Sequence, residues 1–186
     1  MFCTSGHVYF RENSEGSLYN YLEIGVFNGE SIGLMAEAFP GRQCFAVDPF
    51  IEDGFTSHTS NVELGQHMPT QRENTLKNIA GKRNAYLIEK TSKEFAESLE
   101  DWTVQLMNVA WVLIDGSHHY EDVVIDYELA MRLIGDKKGA IVFDDVDIEG
   151  VSRAHREFIA KYGSKITGIR DISTGTPGGI MAYKIN

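Results

Sequence analysis

The sequence predicts a single α/β domain, a mostly parallel sheet covered by helices on both faces. Three observations lead there. Strand-length apolar runs alternate with helix-length stretches along nearly the whole chain. Five strand–helix units in series call for parallel strands joined by crossover helices. The last two apolar runs, Lys165–Arg170 and Ile180–Ile185, are separated by too few residues for a crossover and are expected to pair antiparallel.

Taken in order, Tyr21–Ile24 is the first strand. Glu30–Phe39 follows as a helix with Ile32, Met35, Ala36 and Phe39 on one face, stopped by Pro40-Gly41. Gln43–Val47 is the second strand. Asp48–Met68 shows no period and contains Gly54 and Gly65, so Pro49–Met68 is read as a lid loop. Thr70 and Glu73 form a capping box that opens a helix to Ala80, closed by Gly81. Ala85–Glu89 is the third strand, and a second capping box, Thr91 with Glu94, opens a helix that ends near Glu100. Val109–Ile114, the helix Tyr120–Ile134 with its Gly135 cap, Ala140–Phe143 and the helix Val151–Tyr162 complete the alternating part. The first 18 residues are read as a short extension, with Gly6, Asn13 and Gly16 against stable helix. Trp102 and Trp111 are expected to be packing residues.

Bulk properties narrow the function. A chain of 186 residues suits one domain with one core, burying roughly 70% of its unfolded surface. Its 42% hydrophobic and 24% charged content is that of a soluble enzyme. No apolar run approaches the ~20 residues of a membrane span, and Met1–Arg11 has no signal-peptide pattern, so a cytoplasmic location without membrane contact is expected. A net charge of −10 with scattered basic residues disfavours a nucleic-acid partner. Cys3 and Cys44 make neither a disulfide framework nor a zinc pattern, and Cys44 reads as a buried small hydrophobe.

Ligands of such sheets bind at the carboxyl ends of the strands. The first strand runs into Glu23-Ile-Gly25-Val-Phe27-Asn28-Gly29-Glu-Ser31. A glycine turn entering a helix lets backbone approach a ligand and offers free N–H groups. Its spacing differs from that of dinucleotide binders, and its leading carboxylate suits a cationic group better than a pyrophosphate. S-adenosylmethionine carries an ammonium and a sulfonium. Asp48 ends the second strand, where a carboxylate can take both hydroxyls of a ribose. Ser92 follows the third strand and reads equally as an adenine contact or as a helix cap.

At the next two strand ends stand Asp115-Gly-Ser-His118-His119-Tyr120 and Asp144-Asp145, with Asp147 close by. Carboxylates gathered from adjacent strand ends repel unless neutralised, and a hard divalent cation such as magnesium takes such oxygen ligands. His7, His58, His67 and His155 lack any comparable context.

The runs Tyr21–Ser31, Val47-Asp48, Ile114–Tyr120 and Val142–Asp145 resemble the class I S-adenosylmethionine-dependent methyltransferases. Within them they are similar to the small O-methyltransferases related to macrocin O-methyltransferase and, more distantly, to the catechol O-methyltransferases. The resemblance spans residues 19–186. It implies a Rossmann-like three-layer sandwich whose seven-stranded sheet has an antiparallel last strand. It places Glu23, Gly25, Phe27, Asn28, Gly29, Ser31 and Asp115 along the cofactor, Ser31 near its carboxylate, Asp48 at the ribose and Ser92 near the adenine. It implies Asp115, Asp144 and Asp145 as magnesium ligands and puts His118 where catechol-type enzymes carry their general base, with His119 as the rival. The expected activity is metal-assisted O-methylation of a small-molecule hydroxyl. The short front of the chain leaves the acceptor pocket open, closed by the lid loop, or completed by a second subunit in a homodimer. Two other classes remain as alternatives: a nicotinamide-dependent oxidoreductase, against which the glycine spacing speaks, and a non-catalytic cofactor-binding domain, against which the Asp/His set speaks.

Overall fold

The computed structural model describes residues 4–14, 16–50, 68–173 and 178–186. Seven strands form one sheet: β1 Asn20–Ile24, β2 Cys44–Val47, β3 Ala85–Ile88, β4 Val109–Ile114, β5 Gly139–Phe143, β6 Ile166–Asp171 and β7 Met181–Ile185. Their order is β3-β2-β1-β4-β5-β7-β6. The first five pair in parallel, and β7 runs antiparallel to both β5 and β6. The reversed closing strand is therefore as the sequence implies.

Period-two alternation sorts the strand residues onto two cores. Leu22, Ile24, Val112, Ile114, Ile141 and Phe143 face one core, together with the buried sides of α4 (Ser92–Ser98), α6 (Tyr120–Ile134) and α7 (Glu149–Tyr162). Tyr21, Ala46, Trp111, Leu113, Ala140 and Val142 face the other, under α1 (Thr4–Asn13) and α2 (Glu30–Ala38). The order reverses between β1 and β4, and their carboxyl ends lie side by side where a ligand crevice forms. Among the described residues no helix is long and apolar enough to cross a membrane.

Three expectations need correction, and a fourth lies largely outside the described residues. The front of the chain is helical despite Gly6 and Asn13. Phe10 and Tyr9 are buried, and the Phe10 ring sits 5.4 Å from Tyr21 and 6.1 Å from Trp111. That tertiary packing outweighs a glycine cost of about 1 kcal/mol. The Thr70–Glu73 capping box does not start its helix, since α3 (Met68–Ile79) already contains both residues. The box at Thr91 and Glu94 is formed in full. A further helix, α5 (Asp101–Met107), fills a stretch left unassigned by periodicity. On it Trp102 is 59% exposed rather than packed, unlike the buried Trp111. The lid assigned to Pro49–Met68 falls, from residue 51 to residue 67, outside the described residues, as do His58 and His67.

Candidate active site

The crevice is built where β1 and β4 end. Gly25 leaves β1 with φ 85°, and a side chain there would collide with the carbonyl of Asp115. Only glycine permits that approach at that backbone angle. The turn is then braced from two sides. Asp48, at the end of β2, accepts the Val26 N–H (2.8 Å) with one carboxylate oxygen and the Phe50 N–H (2.8 Å) with the other. From α3, the Thr75 hydroxyl donates to the Phe27 carbonyl (3.0 Å). The Asn78 amide donates to the Asn28 carbonyl (2.8 Å), and the Asn74 amide donates to the Asn28 side chain (3.2 Å). These three residues were missed by sequence reasoning. The available signal was a set of polar residues at helical spacing on the face that should have been apolar. Gly29 then caps α2 without any side-chain hydrogen bond, so the first N–H groups of the helix have no side-chain cap.

Glu23 is 1% exposed. Its carboxylate accepts from the Tyr21 hydroxyl (3.1 Å) and from the Ser31 hydroxyl. Burial pushes its pKa up to about 7, against the two hydrogen bonds and with help from Asp48. The structure thus brings Glu23, Gly25 and Ser31 together as the sequence expects. Ser31 is spent on Glu23, and each Glu23 oxygen already accepts one hydrogen bond. Each Asp48 oxygen has one lone pair left for a ribose hydroxyl. Ser92 is the first residue of α4, whose cap is Thr91, and it hydrogen-bonds the buried Asp126 of α6.

Asp115 follows β4, with its N–H on the Ile24 carbonyl (2.9 Å). Burial raises its carboxyl well above the usual range, and Asp144, Glu23 and Asp145 raise it further. The strand ends therefore do gather these carboxylates. They do not gather them as a ligand set: among the described residues, no three His, Cys, Asp or Glu side chains are placed to hold a metal ion. Asp144 accepts the N–H of Asp145 (2.9 Å). Asp145, at φ 54°, presents Oδ2 to His118 Nε2 at 2.9 Å, and its other oxygen packs against Gly178. His118 Nδ1 is buried with no hydrogen-bond partner among the described residues. His119 instead caps α6 with its backbone and is exposed. Of the two histidines, it is His118 that faces the carboxylates.

Comparison with known proteins identifies the family and the fold. A family model described as a methyltransferase domain matches residues 22–146, which include every cofactor-end residue named above. An uncharacterised protein of Acanthamoeba polyphaga mimivirus, R132, is 29% identical over 126 residues, 67% of this chain and 50% of that protein. The chain thus spans half the length of the curated relative it matches. Solved structures share the fold. The calicheamicin methyltransferase CalS11 superposes with a TM-score of 0.65 at 13% identity, covering 97% of this chain and 77% of that one. CalS11 is also described as a TDP-rhamnose 3'-O-methyltransferase. Cofactor-bound Rv0187 from MTB gives 0.65 at 16% identity, over 100% and 81%. The N-methyltransferase NodS from Bradyrhizobium japonicum WM9, in complex with S-adenosylhomocysteine, gives 0.58 at 12% identity, over 97% and 84%.

Proposed function

The chain belongs to the methyltransferase domain family, and from that premise we propose that it transfers a methyl group from S-adenosylmethionine to a hydroxyl of a small molecule. The observation that carries the reading is the cradle at the β1–β2–β4 ends. There Gly25 removes a side chain from the crevice, Asp48 holds the turn while keeping lone pairs to spare, and α2 presents a start without a side-chain cap. The donor set fits the cofactor part by part. The α2 N-terminus suits its carboxylate, Asp48 its ribose, and the acidic groups Glu23 and Asp115, whose raised pKa a neighbouring cation would lower, its cationic end. Ser92 lies on the adenine side of the crevice in this reading.

When bound, S-adenosylmethionine supplies a methyl on a sulfonium: the acceptor oxygen bonds to the carbon as the carbon–sulfur bond breaks, and the electron pair stays on a neutral thioether. The chain's own task is to remove the acceptor's proton and to hold the acceptor in place. His118 takes that proton. Asp145 Oδ2, 2.9 Å from Nε2, orients the ring. Support for a hydroxyl acceptor comes from the sequence resemblance and from this single positioned base.

Magnesium on Asp115, Asp144 and Asp145 is the finer proposal read from the sequence. The side chains as placed do not fit it, because Asp145 would first have to release His118. No step above uses a metal. Turnover is expected to persist in excess chelator; turnover lost to chelator and restored by magnesium would show that the ion replaces the His118–Asp145 pair.

The binding test comes first. By calorimetry, S-adenosylhomocysteine should bind and Asp48→Ala should weaken it by about 1.5–3 kcal/mol, the scale of charge-assisted hydrogen bonds. Binding of NADH without S-adenosylhomocysteine would return the chain to the oxidoreductase alternative.

A further inference from the structure

Beyond His118 the fold opens a cavity of about 450 Å³ between the first turns of α6 and α7. That volume is in the range of small-molecule sites. His118, His119, Tyr120, Glu149 and Arg153 are among its lining residues. Gly150 makes the closure possible: a side chain there would collide with the carbonyl of His118, so the start of α7 lies directly against the histidine segment.

The charges in this cavity are unusual for so acidic a chain. The guanidinium of Arg153 lies over the Tyr120 ring, 3.8 Å from its centroid. No ion pair to Arg153 occurs among the described residues, although Glu149 precedes it by one turn and Glu157 follows by one turn. Glu157 is engaged by the Tyr120 hydroxyl instead. The stacking on Tyr120 holds the guanidinium in one place with its N–H edge unspent. Both helices start without a side-chain cap, His119 on α6 and Ile148 on α7, so their positive ends add to the same field. The opposing charges are the exposed Glu149 and Glu157, the latter engaged by Tyr120.

We propose that this cavity is the acceptor pocket and that it selects a small molecule carrying an oxyanion, a carboxylate or a phosphate. The oxyanion sits against Arg153, and the hydroxyl to be methylated is presented at His118. The inference rests on the methyltransferase reading and names the substrate class for it. A neutral acceptor would leave Arg153 without a role, and a cationic one would face it directly.

The test needs no knowledge of the acceptor. Inorganic phosphate and benzoate are titrated separately into the protein saturated with S-adenosylhomocysteine, while the ring protons of His118 and His119 are followed by NMR. Saturable binding of at least one probe is expected, and the stronger of the two identifies the kind of oxyanion. Arg153→Gln should weaken it by roughly fivefold or more, Arg153→Lys should restore part of that loss, and Glu149→Gln should tighten it by roughly twofold to fivefold. Arg153 and Glu149 are exposed, so these variants should fold, and unchanged S-adenosylhomocysteine affinity confirms it. No saturable binding of either anion, or equal affinity in Arg153→Gln, overturns the proposal. Weaker binding in Glu149→Gln overturns it too. Failure of the methyltransferase reading shows up separately, as absent S-adenosylhomocysteine binding in the unmodified chain.

Discussion

The ends of β1 and β2 and the ends of β4 and β5 lie on one edge of one sheet, yet they are built differently. At the β1–β2 end the chemistry is carried by backbone: a positive-φ glycine, a turn held by Asp48, Thr75 and Asn78, and a helix start without a side-chain cap. At the β4–β5 end it is carried by which side chain meets which: His118 with Asp145, Asp144 with the Asp145 amide, Arg153 with Tyr120. The first kind of site tolerates no change in the main chain and little choice of ligand. The second can be repartnered, so it is where acceptor selection and any metal requirement are decided.

The hardest way to break this contrast is to put a side chain into the backbone-built half. Gly25→Ala has to move either β1 or the Asp115 segment, and it holds alanine in the left-handed region. A loss of roughly 3–5 kcal/mol in stability is expected, with cofactor binding abolished. Urea unfolding and calorimetry with S-adenosylhomocysteine would measure both. A folded Gly25→Ala protein that binds normally would mean that the crevice is not rigid at this point.

In the side-chain-built half, substitutions should separate chemistry from binding. His118→Ala is expected to lower turnover about 10²–10⁴-fold, with partial recovery at high pH, while S-adenosylhomocysteine affinity stays unchanged. Asp145→Asn should cost less, since the ring remains and only its orientation loosens. Rate–pH profiles of both variants decide the matter. Unchanged turnover in His118→Ala at neutral pH would move the base to His119 or remove the need for one.

The same contrast explains what was legible in the sequence. Strand ends and glycine turns announce themselves, because residue type there is dictated by local backbone: Gly25, Asp48, the Thr91 cap and the Gly135 cap all stand where the pattern puts them. Partnerships across elements leave no local trace. That Asp145 turns to His118, that Thr75 and Asn78 of α3 carry the cofactor turn, and that Arg153 rests on Tyr120 are settled only by packing. The α1 helix is the same lesson for the fold. Its propensity is poor and its aromatic contacts to Tyr21 and Trp111 are distant in sequence.

The mildest expected effect concerns the seam between the two halves. Asp126, on the buried face of α6, is 1% exposed, and its side chain reaches across to Ser92 at the start of α4. Burial pushes its pKa up to about 7, the Ser92 hydrogen bond opposes the shift, and Asp122 one turn earlier on the same helix adds to it. One of its oxygens, Oδ1, has no partner among the described residues. With a folded pKa above the unfolded one, the folded chain keeps this proton between about pH 4 and pH 7 while the unfolded chain releases it. Folding stability therefore falls as pH rises through that window and levels off above it. Glu23, also raised to about 7, contributes in the same direction. Only the difference between the unmodified chain and a variant isolates Asp126. Asn at this position keeps a donor and an acceptor for Ser92 and does not titrate. Asp126→Asn should thus be close to the unmodified protein near pH 4 and more stable near pH 8, by on the order of 1–3 kcal/mol. Thermal unfolding of both proteins at closely spaced pH values reads this directly. A stability difference that does not vary with pH would show that the Asp126 carboxylate is already ionised in the folded chain, with a counter-charge that the Ser92 contact does not supply.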